Sequence, residues 1–340
     1  MTTSGSIASK DTLKAEFEQL FDYVQPFQLA LSQYIEEEVK NFEEEIQEPV
    51  HYCFQGGGKR IRPTLVYLSG VGSSGDFSED MVKAASVIEM VHVATLVHDD
   101  ILDEANVRHG KQSVSAKYGS AAAVLIGDAV FSHALKLAAS FPTTTVCDAV
   151  AQATRRVCAG EVSQTFQRGD VNYSLENYFR IIDLKTAELF RVACFLGAYV
   201  TGKDETYQEA FSDFGRYLGI AYQMFDDLID LLGDEDKIGK TLGTDLASGK
   251  YTLPVILLLK KLEPAHAADL LKRLKAQEAR AVNELRTLIG KHSILAEVAV
   301  MFKEKIAAAR GALARVGGGS EQMQSLCDFV ENQGRKVLVL

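Results

Sequence analysis

Between residues 78 and 104 the chain is apolar almost without interruption, and it then closes on Asp99-Asp100-Ile101-Leu102-Asp103. Val87, Ile88, Met90, Val91, Val93, Ala94, Leu96, Val97, Ile101 and Leu102 leave no polar face. A helix of that kind has to be buried on all sides, so it predicts a helical bundle with this segment at its centre. Three carboxylates at its end put a charged site at the mouth of an apolar core. The same spacing recurs in Asp226-Asp227-Leu228-Ile229-Asp230, closing a second helical run over 204–232. On a helix, residues i and i+4 share a face and i+1 lies about 100° round. Asp99 and Asp103 therefore point one way with Asp100 at their edge, and Asp226, Asp227 and Asp230 repeat the pattern. Like charges at i,i+4 repel by roughly 0.2–0.5 kcal/mol even on an isolated helix. One such cluster is ordinary for a solvated helix end. Two with one spacing call for cations and a polyanion. Oxygen donors without His or Cys select Mg²⁺ or a similar hard ion, which keeps waters and shares itself with substrate phosphates.

A place for the anion is visible upstream. Gly56-Gly57-Gly58-Lys59-Arg60-Ile61-Arg62-Pro63 is a Gly-rich loop with three cations, and Pro63 suits the first turn of a following helix. Free N–H groups and the helix dipole favour negative charge at such a start. The spacing is not that of a Walker loop. More cations, Arg108, His109 and Lys111, follow the first aspartate cluster.

The rest of the chain reads as helices. Residues 11–45 divide at Pro26 into two helices, the second ending in an acidic, solvated run. Residues 120–141 and 143–168 form two more, broken at Pro142, with Gly127 and Ala129 allowing close packing. Residues 174–200 form another, carrying Lys185-Thr186 in an apolar context that commonly lets a lysine snorkel to solvent. Residues 233–245 are Gly-rich, charged and aperiodic, which predicts a binding loop or lid. Pro254 opens the next helix, and 263–340 continue helical with breaks near Gly290 and at 317–319. No strand of length, internal repeat or low-complexity segment is present. Residues 1–10 are small and polar and read as a disordered N-terminus, leaving 11–340 as one all-α domain.

With 340 residues, 47% hydrophobic and 24% charged, the composition is that of an ordinary globular protein. A net charge of −10 argues against nucleic acid as a partner, and any phosphate site must be built locally from Lys, Arg and metal. The five cysteines show no metal spacing and read as reduced core thiols of a cytoplasmic protein. The N-terminus has no apolar signal core, and no apolar run approaches a membrane-spanning length, so neither a secretory signal nor a transmembrane segment is expected.

Five stretches in order, GGGKRIRP, HDDILDEANVRHG, LKTAELF, YQMFDDLIDLLGD and GKTLGTDLASGKYTLP, resemble those of the trans-isoprenyl diphosphate synthases, or polyprenyl synthetases, of medium- to long-chain type. The resemblance covers about residues 50–260. It implies an all-α bundle around a deep central apolar cavity, usually as a homodimer. It implies head-to-tail condensation of isopentenyl diphosphate onto an allylic diphosphate, with about three Mg²⁺ between the aspartate clusters. Carried across by motif, Asp99 and Asp103 would ligate two ions and Asp226 the third, with Asp100, Asp227 and Asp230 as supporting carboxylates of the metal site. Lys59, Arg62 and His92 would hold isopentenyl diphosphate. Arg108, Lys185, Lys240 and Lys250 would hold the allylic diphosphate, and Thr186 and Gln223 would line the reacting centre. Transient membrane contact for product release is compatible with this picture. One position departs from the family. Two arginines usually follow the first cluster, and here the second is His109. Histidine donates one charged bond when protonated and cannot form the bidentate fork of arginine, which bears on the grip on isopentenyl diphosphate and not on the chemistry.

Chain length follows from the helix. One turn rises about 5.4 Å, close to one extended isoprene unit, so Thr95 and Ala94 lie one turn below the metal and Val91 the next. Short-product members of the family carry bulky aromatics there. Small residues in this chain predict a product of C20 or longer. Two rivals make different demands. A class I terpene cyclase would not need the GGGKRIRP loop, and a non-catalytic subunit of a heteromeric synthase would tend to lose aspartates, whereas all six are present.

Overall fold

A computed structural model describes residues 10–56, 58–71, 75–168, 174–232, 244–276 and 278–338. The helices are α1 (Lys10–Val39), α2 (Glu44–Phe54), α3 (Ile61–Gly70), α4 (Glu79–Leu102), α5 (Val114–Tyr118), α6 (Ser120–Ala139), α7 (Thr145–Phe166), α8 (Leu175–Ile182), α9 (Glu188–Val200) and α10 (Glu205–Leu232). They continue with α11 (Thr244–Ala247), α12 (Leu253–Lys261), α13 (Pro264–Lys275), α14 (Ala279–Lys291), α15 (Ile294–Ala314) and α16 (Glu321–Leu338). Among the described residues the only strands are β1 (Val107–Arg108) and β2 (Lys111–Gln112), which pair antiparallel around His109-Gly110. The protein is all-α.

Helix α4 is the axis. It packs against α1, α3, α6, α7 and α9, and α10 packs against α9, α15 and α16. Its N-cap is Ser78, whose hydroxyl accepts from the Met81 N–H. Val87, Ile88 and Met90 are fully buried, as a helix apolar all round requires. By length and composition α4 and α6 would each be able to cross a membrane, which corrects the expectation that no segment could. Burial of α4 among its neighbouring helices explains its composition without a bilayer.

Two other expectations change. Pro26 does not divide α1, which runs unbroken through it. An interior proline costs about 3 kcal/mol. Leu20, Val24, Phe27, Leu31, Ile35 and Val39 form one buried stripe across that point, and each contributes about 1.5–3 kcal/mol. Packing outweighs the missing donor. The thiols are all free, but Cys158 is exposed on α7 and is not part of the core.

The run expected as one helix over 174–200 contains a π-helical turn, Asp183–Ala187. Wide turns of this kind are rare and concentrate at functional sites. Two glycines let neighbouring helices close on it: a Cβ on Gly160 of α7 would lie 2.8 Å from the Lys185 N, and one on Gly219 of α10 would lie 2.7 Å from the Ala187 Cα. Residues 1–9 and the loop 233–243 expected as a lid, Lys240 included, lie outside the described residues.

Candidate active site

The first aspartate cluster is ringed by cations. Arg108 donates from Nε and Nη2 to Asp100 Oδ1 at 2.9 and 2.5 Å. Lys250 Nζ reaches both oxygens of Asp103, at 2.9 and 2.8 Å, from 147 residues away. Arg168 Nη2 donates to Asp103 Oδ1 at 2.7 Å, and its Nη1 to the Leu102 carbonyl at 3.2 Å. Lys185 Nζ lies 3.8 Å from Asp99 Oδ2, pairs with Glu161 and donates to Gln164 Oε1 at 3.0 Å. Lys185 thus does not snorkel. Burial opposes its charge, but Asp99 and Glu161 more than offset that and raise its pKa. Asp99 goes the other way: burial raises its pKa despite Lys185. Asp103 is lowered: burial pushes it up, but the bond and charge of Lys250 together with the charges of Lys185 and Arg168 more than offset that.

In the second cluster Asp227 accepts from two neutral groups. Tyr178 OH donates to Asp227 Oδ2 at 2.7 Å, and Gln223 Nε2 to Asp227 Oδ1 at 2.7 Å. Thr186 Oγ1 donates to Gln223 Oε1 at 2.7 Å, which fixes which way that amide faces. The Asp245 N–H donates to Asp230 Oδ2 at 3.2 Å. Burial, and then the charge of Asp245, push Asp227 up to about 8. Burial and Asp230 push Asp245 up to about 6.

A short path joins the clusters. Asp230 accepts from the Asp245 N–H, the Asp245 carbonyl accepts from the Lys250 N–H at 2.7 Å, and Lys250 Nζ closes on Asp103. The ends of α4 and α10 therefore face one cleft. Asp100, Asp227 and Asp230 are buried. Arg108 bonds Asp100, Tyr178 and Gln223 bond Asp227, and the Asp245 N–H bonds Asp230. Among the described residues no three acidic or histidine groups converge on a ready-made cage. The donors suit a hard divalent ion nonetheless. They are all carboxylate oxygens, and such an ion takes one or two of them and completes its shell with water and phosphate.

The basic loop meets α4 at His92, about two turns before Asp99 on the same face. Arg62 donates from Nη1 to His92 Nε2 at 3.0 Å, and its guanidinium stacks over Phe190 at 4.9 Å. Burial, then Arg62, push His92 well below its usual pKa, so its ring is neutral and accepts that bond. Lys59 Nζ lies 5.0 Å from the centre of the Phe329 ring on α16. The hairpin packs on the loop: His109 Nε2 would be 3.9 Å from a Cβ on Gly58, and Lys111 Cε 2.9 Å from one on Gly56. Arg62, His92 and His109 thereby stand around one corner, and Lys59 reaches from the same loop toward Phe329 on α16. Between them, Arg60 is left-handed, with φ 44° and ψ 46°. That conformation costs a non-glycine residue about 1–3 kcal/mol and collects at working sites.

Of the residues expected to set chain length, only Thr95 shares the face of Asp99. It lies about 40° from it around the helix, whereas Ala94 lies about 140° away and Val91 about 80°. Thr95 is half-buried together with His92, one turn further down, while Val91 and Ala94 are sealed at 1% and 2% exposure. Their side of α4 carries His98, whose ring fills the space that Gly127 of α6 leaves open: a Cβ there would be 2.3 Å from Nε2. Sequence reasoning missed Glu161, Gln164, Arg168, Tyr178 and Asp245. Asp245 and Lys250 stand in one loop motif, and that shared motif was the available signal. The α7 residues gave none, because their role depends on how α7 packs on the π-turn.

A model of the polyprenyl synthetase family matches residues 43–291, well over half of the chain. The chain belongs to the polyprenyl synthetase family. An octaprenyl diphosphate synthase of Haemophilus influenzae is 37% identical over 245 residues, covering 72% of this chain and 74% of that protein. A nonaprenyl diphosphate synthase of Mycobacterium tuberculosis is 32% identical over 304 residues, covering 88% and 90%. A polyprenyl synthase of Caulobacter crescentus, crystallised with calcium and isoprenyl diphosphate, superposes with a TM-score of 0.83 at 28% identity over 95% of this chain and 97% of its own. This polyprenyl synthetase has the all-α isoprenoid synthase fold and is a trans-polyprenyl diphosphate synthase, a prenyltransferase of medium to long chain. Neither the cyclase nor the non-catalytic subunit is favoured.

Proposed function

We propose that the cleft between α4 and α10 binds an allylic diphosphate through Mg²⁺ held by Asp99, Asp103, Asp226 and Asp230, and that isopentenyl diphosphate binds beside it on Lys59, Arg62, His92 and His109. The observation that carries this reading is the path Asp103–Lys250–Asp245–Asp230, which ties the two aspartate clusters across a single cleft. Bound Mg²⁺ would neutralise the diphosphate and favour its departure. Arg108, Lys185, Lys240 and Lys250 add positive charge where the leaving group gains negative charge. Lys185 and Lys250 now pair with aspartates, and they turn to phosphate oxygens once those aspartates have other partners. Thr186 and Gln223 offer neutral dipoles that stabilise an allylic cation without capturing it. No side-chain nucleophile is required, and the released diphosphate takes the final proton.

The tail grows down α4 past Thr95, which is small enough to leave room for a product of C20 or longer. The enzyme works in the cytoplasm as a homodimer, with the exposed Val124 and Leu125 of α6 as the apolar strip a second copy would cover. A heteromeric assembly is the alternative, since a relative in Bacillus subtilis, 39% identical over 210 residues, is a heptaprenyl diphosphate synthase component 2. The purified chain is to be incubated with farnesyl diphosphate, isopentenyl diphosphate and Mg²⁺, with products resolved by mass. A ladder at C20 and above that disappears with EDTA is expected. No extension of the C15 primer by the chain alone would reject the homomeric reading.

A further inference from the structure

Arg60 stands in the middle of the isopentenyl diphosphate corner, yet its charge points away from it. Its Nη1 donates to Ser32 Oγ on α1 at 2.6 Å, and its Nε lies 3.9 Å from Glu89 Oε1 on α4. The Arg60 carbonyl accepts from Gln28 Nε2 of α1 at 3.4 Å, from the Thr64 N–H at 3.1 Å and from Thr64 Oγ1 at 2.9 Å. Gln28 Nε2 also donates to Thr64 Oγ1 at 2.7 Å, and Ser32 Oγ donates to the Gln28 carbonyl at 2.9 Å. Side chain and carbonyl are thus both gripped from α1, at the one residue of the loop that adopts a left-handed conformation without being glycine. The loop reverses there. Lys59 reaches toward Phe329 on one side of the kink, and Arg62 toward His92 on the other.

Glu89 completes the arrangement. It is buried at 8% exposure on α4, three residues from His92, and its Oε2 has no hydrogen-bond partner. Arg62 Nε, also buried, has none either. A buried carboxylate behind two arginines draws one of them, Arg60, into the α1–α4 crevice and balances the charge of the other. We propose that Arg60 is a positioning residue for isopentenyl diphosphate: anchored on Ser32 and Glu89, it holds the left-handed kink that presents Lys59 and Arg62 to the substrate's diphosphate without touching it. The inference rests on the reading of that corner given above.

Glycine at position 60 separates the two things Arg60 does. It adopts the left-handed conformation freely but has no anchor. Arg60→Gly, Arg60→Ala, Arg60→Lys and Arg62→Ala are to be compared by thermal melting, by steady-state kinetics in each substrate, and by calorimetric titration with isopentenyl diphosphate and with inorganic pyrophosphate. For Arg60→Gly the expected result is a Tm lowered by loss of the Glu89 partner but above that of Arg60→Ala, a KM and Kd for isopentenyl diphosphate raised about tenfold or more, and a KM for the allylic substrate within about twofold of the parent. Arg60→Ala is expected to show the same loss with a lowered Tm, and Arg60→Lys a partial rescue. If Arg60→Gly keeps the parental affinity for isopentenyl diphosphate, the anchor is irrelevant and the proposal is overturned. If it weakens both substrates equally along with Tm, Arg60 is a structural residue only, which also overturns it. Arg62→Ala reports on the underlying reading. Unchanged isopentenyl diphosphate affinity there would remove the corner itself, whatever Arg60 does.

Discussion

The two aspartate clusters share one spacing, but their middle aspartates, Asp100 and Asp227, meet opposite partners. At the end of α4, Arg108, Lys185, Lys250 and Arg168 face Asp99, Asp100 and Asp103. At the end of α10, Asp227 accepts from a phenol and an amide, Asp230 accepts from a backbone N–H, and a further carboxyl, Asp245, sits beside them. Spacing along a helix makes a cluster, but neighbours brought in from other helices decide its charge. A guanidinium meets the middle aspartate of the first cluster, and a phenol and an amide meet that of the second.

The largest effect expected from breaking this pairing is on turnover. Asp99→Asn and Asp226→Asn should each lower kcat by about 10²–10³-fold, the scale of removing one preorganised charge-stabilising contact. Steady-state rates over a Mg²⁺ titration check this, and a parental rate in either variant at saturating Mg²⁺ would break the pairing of the two clusters.

A smaller effect concerns pH in the metal-free protein. Asp227 and Asp245, raised to about 8 and about 6, bind protons more tightly folded than at the unfolded value of roughly 3.9. Their contribution to stability is complete below about pH 4 and is lost as pH climbs through 6 and then 8. Asp103, lowered by Lys250, contributes above its unfolded pKa and loses that contribution on acidification. Tm should therefore fall between about pH 5 and 8 in EDTA, and Asp227→Asn should flatten the upper part of the fall while Asp103→Asn leaves it unchanged. The smallest expected effect is on product length. Thr95→Phe, on the face of Asp99, should shorten the mass-resolved ladder more than Ala94→Phe, which instead should lower Tm by overpacking a sealed position.

The sequence carried the helices and the mouth of the core well, because an all-apolar run with a charged end has few places to go. It carried Pro26 badly. A local helix breaker was overruled by a stripe from Leu20 to Val39 whose burial depends on α3, α4 and α16. The site was legible where chemistry repeats along the chain, as in the aspartate spacings and the cations of the basic loop. It was not legible where function is made by contact across the chain. Tyr178 is one tyrosine among twelve until α8 lays it on Asp227, and Glu161 is one acid among many until Gly160 lets α7 close on Lys185. Ala94 and Thr95 are neighbours in sequence, and only the turn of the helix sends one to the cleft and the other to α6.

The wide turn at Asp183–Ala187 sets the phase between the two rims. Upstream of it Tyr178 serves Asp227, and within it Lys185 serves Asp99. Removing one residue would wind the segment into ordinary helix and rotate α8 by about 100° against α9. One of the two side chains would then lose its aspartate, however well the other stayed in place. Point replacements here can be compensated, but a single-residue deletion unmeshes both halves of the cleft at once, like a gear that has lost a tooth.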